Sequence, residues 1–218
     1  MHQALQDSII ELYAACSEFP KPAQLNSCEC CHTEDEKQIL LSTPLKSLSS
    51  EQLNNFTLSA FNTIGCAEDF LYFLPRILEL VFTSYQNFDC DVGLLGHKIY
   101  QTQFWTRSEK LKESINAALL NHFKYQVLQD TDWNYELSGW VCCIGNATPD
   151  LEPFLELLFH SDFFQNFYNN ENQYALKGKL SDSFWEQHHG NQNKIIQWLL
   201  RPESNERYWT FYPTTTPS

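Results

Sequence analysis

Residues 66–86 read CAEDFLYFLPRILELVFTSYQ, and the distribution of their apolar side chains decides the fold class. Placed on a helix, these side chains run almost all round. A helix without a broad polar face has to be surrounded by other elements, so this one is expected at the centre of the fold. Pro75 lies inside it. Its missing N–H and the clash of its ring with the preceding turn predict a kink, or two helices meeting there. Arg76 and Glu79 stand one turn apart on the same apolar stretch. A buried charge demands a partner, and the expected arrangement is an ion pair of Arg76 with Glu79, Glu68 or Asp69.

Outward from this segment the chain keeps helical periodicity. Upstream, Leu5, Ile9, Leu12, Tyr13 and Cys16 form a stripe that predicts a helix over residues 3–17, stopped by Phe19, Pro20, Lys21 and Pro22. Ser49-Ser50-Glu51-Gln52 matches a capping box and predicts a helix over 50–64, with Gly65 just past its end. The intervening residues, 23–49, are polar, cysteine-bearing and broken by Pro44, which predicts an irregular lobe with at most one short helix at 35–41. Downstream of a loop at 88–91, GLLGHKIYQTQFW favours helix. Thr106-Arg107-Ser108-Glu109 is a second capping box, opening a helix with Leu111, Ile115, Ala118, Leu119, Phe123 and Val127 inward. Further helices are expected over 133–144, ended by Gly145, and from Thr148-Pro149 through His160. Shorter pieces at 162–174, 184–189 and 193–200 are interrupted by Gly178, Gly190 and Pro202, and the tail at 213–218 reads as loose.

Alternating strands with turn dipeptides are absent, so the expected class is all-α. Short connections suggest irregular antiparallel helical hairpins in a single domain over residues 1–212, with the cysteine lobe at about 20–48. A HEAT-like α-solenoid is one arrangement of such hairpins, although no sequence period marks repeats.

The 218 residues are 43% hydrophobic and 15% aromatic, enough to bury a core and to exclude a disordered chain. The 27 acidic and 14 basic side chains leave a net charge of −13, a field that repels nucleic-acid backbones and anionic membrane surfaces. The same field favours encounter with a basic protein. No apolar run approaches a membrane span. The start, MHQALQDSIIELYAACSEF, places Asp7 and Glu11 among its apolar residues and lacks the features of a secretory signal, so a cytoplasmic location is expected. The eight cysteines would there be thiols.

The densest chemical cluster is NSCECCHTED at residues 26–35. Cys28 and Cys31 have the C-x-x-C spacing with which a turn aims two thiolates at tetrahedral zinc, with Cys30 and His32 as neighbouring candidate ligands. A second pair is missing, so a fourth ligand would come from Cys66, Cys90, Cys142, Cys143 or a histidine. Free thiols in a loop are the plainer reading of the cluster, and a structural metal lobe the sharper one. A reactive redox pair is disfavoured by the acidic neighbours Glu29, Glu34, Asp35 and Glu36 and by the lack of a thioredoxin-like pattern. Cys142 and Cys143 read as buried core thiols, and His188 and His189, being adjacent, as poor joint ligands. Asp150, Glu152 and Glu156 suit a helix start, and Phe163, Phe167 and Tyr174 have core spacing. No hydrolase elbow, phosphate-binding loop, dinucleotide fingerprint or H-E-x-x-H is present, and only seven glycines are available for such loops. A non-enzymatic protein is expected.

Cys28 and Cys31, followed by Phe73-Leu74-Pro75-Arg76-Ile77-Leu78-Glu79-Leu80, resemble a family of bacterial helical proteins that combine a short cysteine motif with a buried L-P-R-I-L-E-L helix. The resemblance spans roughly the first 85 residues and implies a helical fold and a bacterial origin; it brings no activity or site residues with it. The function expected on charge is an acidic binding protein that docks a basic partner, in the manner of an immunity protein neutralising a toxin. Glu34, Asp35, Glu36, Asp89 and Asp91, expected in loops, are its candidate contacts. The alternative is a zinc-binding protein using Cys28, Cys30, Cys31 and His32.

Overall fold

The structure is a computed structural model that describes residues 3–84, 88, 90–128, 137–182, 185 and 189–211. Among these residues it is all-α, with eleven helices and no strand beyond two isolated bridges. In chain order they are α1 (Gln3–Cys16), α2 (Glu34–Ser42), α3 (Ser50–Ser59), α4 (Ala67–Ser84), α5 (Val92–Gln101), α6 (Glu109–Leu128), α7 (Leu137–Ala147), α8 (Glu152–Phe159), α9 (Phe164–Ala175), α10 (His189–Leu200) and α11 (Pro202–Trp209), with 3-10 turns at Leu45–Ser47 and Phe104–Thr106. No described helix is long and apolar enough to cross a membrane.

Within the segment at 66–86, Ala67–Ser84 form one helix, α4, that runs through Pro75 without dividing. Phe70, Leu71, Phe73, Leu74, Ile77 and Leu78 are fully buried on it, each side chain contributing about 1.5–3 kcal/mol of apolar burial. Pro75 has no N–H to give the carbonyl of Leu71, and that burial on both sides of it holds the helix together. Of the three carboxylates open to Arg76, the structure selects Glu79, at 2.8 Å. The Tyr13 hydroxyl donates to the same carboxylate at 2.6 Å, and Arg76 Nε donates to the Leu48 carbonyl at 2.8 Å. Glu68 pairs with Arg107 at 2.7 Å, while Asp69 accepts from the Cys66 N–H.

Space does not follow chain order. α1 packs on α6 and α4, and α5 packs most closely on α7. At Gly96 a Cβ would lie 2.2 Å from the Cys143 carbonyl oxygen, so the two backbones are in direct contact. The buried apolar residues form one cluster from Leu5 to Leu199.

Several element ends differ from the sequence reading. α3 stops at Ser59, five residues early: Phe61 takes φ +66°, and Ile64 turns back to pair with Ala60 and Ser27. The buried Lys98 ammonium donates to the Ala60 carbonyl and lies over the Phe61 ring, which gives the shortened helix end a cation. Gly65 does adopt positive φ, at +67°, but within this turn. The cap of α6 is Ser108, whose oxygen accepts from Leu111 N at 3.2 Å; the Thr106 hydroxyl bonds back to Gln103. α7 continues through Gly145 to Ala147, and the Trp185 ring lies where a Cβ at Gly145 would point. α8 opens at Glu152, so Pro153 rather than Pro149 sits in the first turn. α10 runs through Gly190, and Pro202 starts α11 instead of ending a helical piece. Residues 133–136, 184, 186–188 and the tail lie outside the described residues.

Candidate metal centre

The cysteine lobe is tied down before it turns. Gly65 N donates to the Asn26 carbonyl and Cys28 N to the Thr63 carbonyl, both at 2.8 Å, with Ser27 bridged to Ile64 between them. Residues 26–28 therefore lie antiparallel to the turn that follows α3. The Cys28 carbonyl then accepts from Cys31 N at 3.0 Å and His32 N at 3.2 Å, which reverses the chain. Immediately after, Thr33 caps α2 in a reciprocal box with Glu36. That box is written in the sequence as T-x-x-E, a signal the reading above passed over.

Between these two anchors the turn gathers three exposed thiols. Cys28 Sγ is 2.7 Å from Cys30 Sγ, and Cys30 Sγ is 3.6 Å from Cys31 Sγ. All three sulfurs lie within 4.8 Å of one another, an arrangement able to hold a metal ion. The Cys30 thiol and the N–H groups of Cys30 and Cys31 aim at the Cys28 sulfur and draw its pKa below the ordinary thiol value. Cys30 is pushed up to about 11, because its proton is shared with the neighbouring sulfurs.

His32 does not belong to the set. It is 5% exposed, with Nε2 2.9 Å from Thr63 Oγ1 and Nδ1 facing Asn55 Nδ2 at 3.5 Å. Both nitrogens are spent on fastening the lobe to α3 and its turn, which removes His32 as a local ligand. Cys90, Cys142 and Cys143 are buried, and Cys66, against Glu68 and Asp69, is not one of the clustered three. Desolvation raises the thiols of Cys142 and Cys143, in keeping with core residues.

The acidic candidates among the described residues occupy helix starts instead of loops. Glu34, Asp35 and Glu36 make up the first turn of α2, where negative charge complements the helix dipole. Glu34 is 2.7 Å from Lys37 Nζ, a contact that holds its carboxyl below the usual range. The Thr33 N–H does the same for Glu36. Asp91 caps α5, accepting from Gly93 N at 2.8 Å and Leu94 N at 3.3 Å. Asp89 lies outside the described residues. Beside the lobe, α2 and α3 enclose a groove of about 410 Å³ with Glu36, Glu51 and Asn55 over Ile39, Leu40 and Phe56.

Besides Lys98, two more buried titratable groups escaped the sequence reading. His122 stacks on Phe82 with ring centres 4.1 Å apart and lies against Trp140 at 4.3 Å, and neither ring nitrogen has a partner among the described residues. Burial pushes its pKa down to about 3. Its position four residues after Ala118, on the inward stripe of α6, was the available signal. Glu171 is buried and accepts from the backbone N–H and hydroxyl of Ser181, closing the turn after α9.

Comparison with protein-family models, curated proteins and solved structures found no match to this chain.

Proposed function

We propose that this is a helical protein that binds a thiophilic metal ion at the turn of Cys28, Cys30 and Cys31, with zinc the reference ion. The convergence of three exposed sulfurs within 4.8 Å carries this reading. Soft thiolates on borderline or soft cations form the strongest bonds available to these side chains, and Cys28 is already polarised toward the thiolate the ion needs. A bound ion would lock the 28–31 turn between its two anchors, α2 and the turn after α3. The role is structural in the first instance, since an ion bound to the folded state alone adds its binding free energy to stability.

Metal analysis of chain purified under reducing conditions tests it. One equivalent of zinc, a higher melting temperature with zinc, reversal by chelator and loss of all three in Cys28→Ser and Cys31→Ser are expected. A chain that binds neither zinc nor another thiophilic ion refutes it.

A second reading, docking of a basic protein such as a toxin met by its immunity protein, draws support from the net charge of −13 and from the α2–α3 groove. Glu36 and Glu51 line that groove with no lysine or arginine among its lining residues. Under this reading Glu51→Lys slows association with the partner, most at low salt; association unchanged by both salt and this substitution counts against it.

A further inference from the structure

The three sulfurs are carried by four consecutive residues, Cys28 to Cys31, on one reversed turn. Donors mounted on so short a span reach an ion from one side only, and the other hemisphere faces solvent. Among the described residues no further histidine, cysteine or carboxylate joins the three sulfurs. His32 is turned inward to Thr63 and Asn55, and Cys66 is engaged at the start of α4 with Asp69. Zinc in a structural site takes four protein donors in a tetrahedron. Here it would be left with a water in its shell and without the fourth bond that makes such sites strong.

Ions with a stereochemically active lone pair have a different requirement. Trivalent arsenic and antimony make three bonds to sulfur at the base of a pyramid and keep the lone pair at its apex, so they ask nothing of the open hemisphere. We propose that Cys28, Cys30 and Cys31 form a three-coordinate site that selects trivalent oxyacids of the arsenite class over zinc, an inference that rests on the metal-binding reading above.

The proton balance agrees with this. Arsenous acid, As(OH)3, is neutral at neutral pH and condenses with three thiols. Three As–O bonds break, three As–S bonds form, and each S–H proton leaves with a hydroxide as water; arsenic stays trivalent and no electrons are transferred. Zinc must instead displace a proton from each thiol it binds. Condensation consumes each thiol in its protonated form.

The test titrates sodium arsenite and zinc chloride, separately and in competition, into the reduced full-length chain and into Cys28→Ser, Cys30→Ser, Cys31→Ser and Cys66→Ser, each checked by circular dichroism for native helicity. One arsenic per chain is expected, with a mass gain of one arsenic less three hydrogens and no net proton release. Removing any one of the three thiols should weaken capture about a hundredfold, the loss typical of one arm of a multivalent attachment. Cys66→Ser should change nothing, and arsenite should displace zinc. Displacement of arsenite by equimolar zinc, or undiminished capture by Cys30→Ser, overturns the three-coordinate assignment while leaving metal binding intact. Failure of both ions to bind overturns both.

Discussion

The buried imidazole of His122 makes the stability of this protein depend on pH in a way that a single substitution isolates. In the unfolded chain the group titrates at its ordinary 6.5, whereas in the fold, between Phe82 and Trp140, its pKa falls to about 3. Below 6.5 the unfolded state therefore takes up a proton that the folded state refuses. Stability is unaffected by this group above that pH, and is lost progressively as pH falls from 6.5 towards 3. The difference between the two titrations amounts to about 2 kcal/mol at pH 5 and about 3 kcal/mol at pH 4, a sizeable part of the 5–15 kcal/mol typical of a domain. Carboxylates also titrate in this range, so the wild-type profile alone does not identify the group. His122→Phe keeps the stacked ring and removes the titration, and His122→Leu serves as a second variant should the larger ring overpack. Urea unfolding is followed by tryptophan fluorescence at pH 7.5, 6, 5 and 4.5. The stability of the variant relative to wild type should rise by about 2 kcal/mol between pH 7.5 and pH 5, whatever its sign at the upper end. Parallel profiles for wild type and both variants would show that the imidazole protonates equally well in the fold, and would refute the burial account.

Other expectations follow from the packing. Gly96→Ala drives a methyl into the α7 backbone, where the nearest atoms are main-chain atoms of Cys143 at 2.2–2.7 Å; a loss of about 3 kcal/mol in urea unfolding is expected, and a neutral result would mean that α5 and α7 are further apart. Glu79→Gln weakens the bonds from Arg76 and Tyr13 on partly buried groups, and should cost about 1–3 kcal/mol by the same assay. Ser108→Ala should cost about 1 kcal/mol and Thr106→Ala much less, since the α6 cap belongs to Ser108; the reverse order would restore Thr106 as the cap.

Features decided within one or two turns of chain were legible in the sequence. The all-round apolar character of 70–82 placed α4 at the centre, the Ser49 box began α3 where it does begin, and the Arg76–Glu79 spacing allowed the ion pair that forms. Misreadings fall at segment ends, where a side chain from elsewhere or a competing local turn takes over. Gly145 has the composition of a helix stop, yet its missing side chain is what admits the Trp185 ring. Thr106 satisfies the box pattern as well as Ser108 does, and the 3-10 turn at Phe104–Thr106 takes its hydroxyl for Gln103. The metal lobe follows the same logic. The sequence named Cys28, Cys30 and Cys31, whereas the exit of His32 depends on Thr63 and Asn55, which no local pattern connects to it.

Those two partners give the thiol turn its physical dependence on the core. Thr63 holds Cys28 through its carbonyl and His32 through its hydroxyl, and it sits in the turn that ends α3 early. That turn requires Phe61 at positive φ, a conformation costly for a bulky side chain unless its surroundings enforce it. Lys98 is what surrounds it, a buried ammonium bonded to the Ala60 carbonyl and lying over the Phe61 ring. Burial depresses its pKa, so the charge is retained at a cost that the helix-end carbonyl and the ring together offset. Lys98 in turn belongs to α5, whose position is set by the contact of Gly96 with Cys143. An exposed cluster of sulfurs is thereby held in register by a chain of contacts that ends in the best-packed helix pair of the core. A surface loop of the same composition, without those contacts, would have no reason to keep three thiols converged.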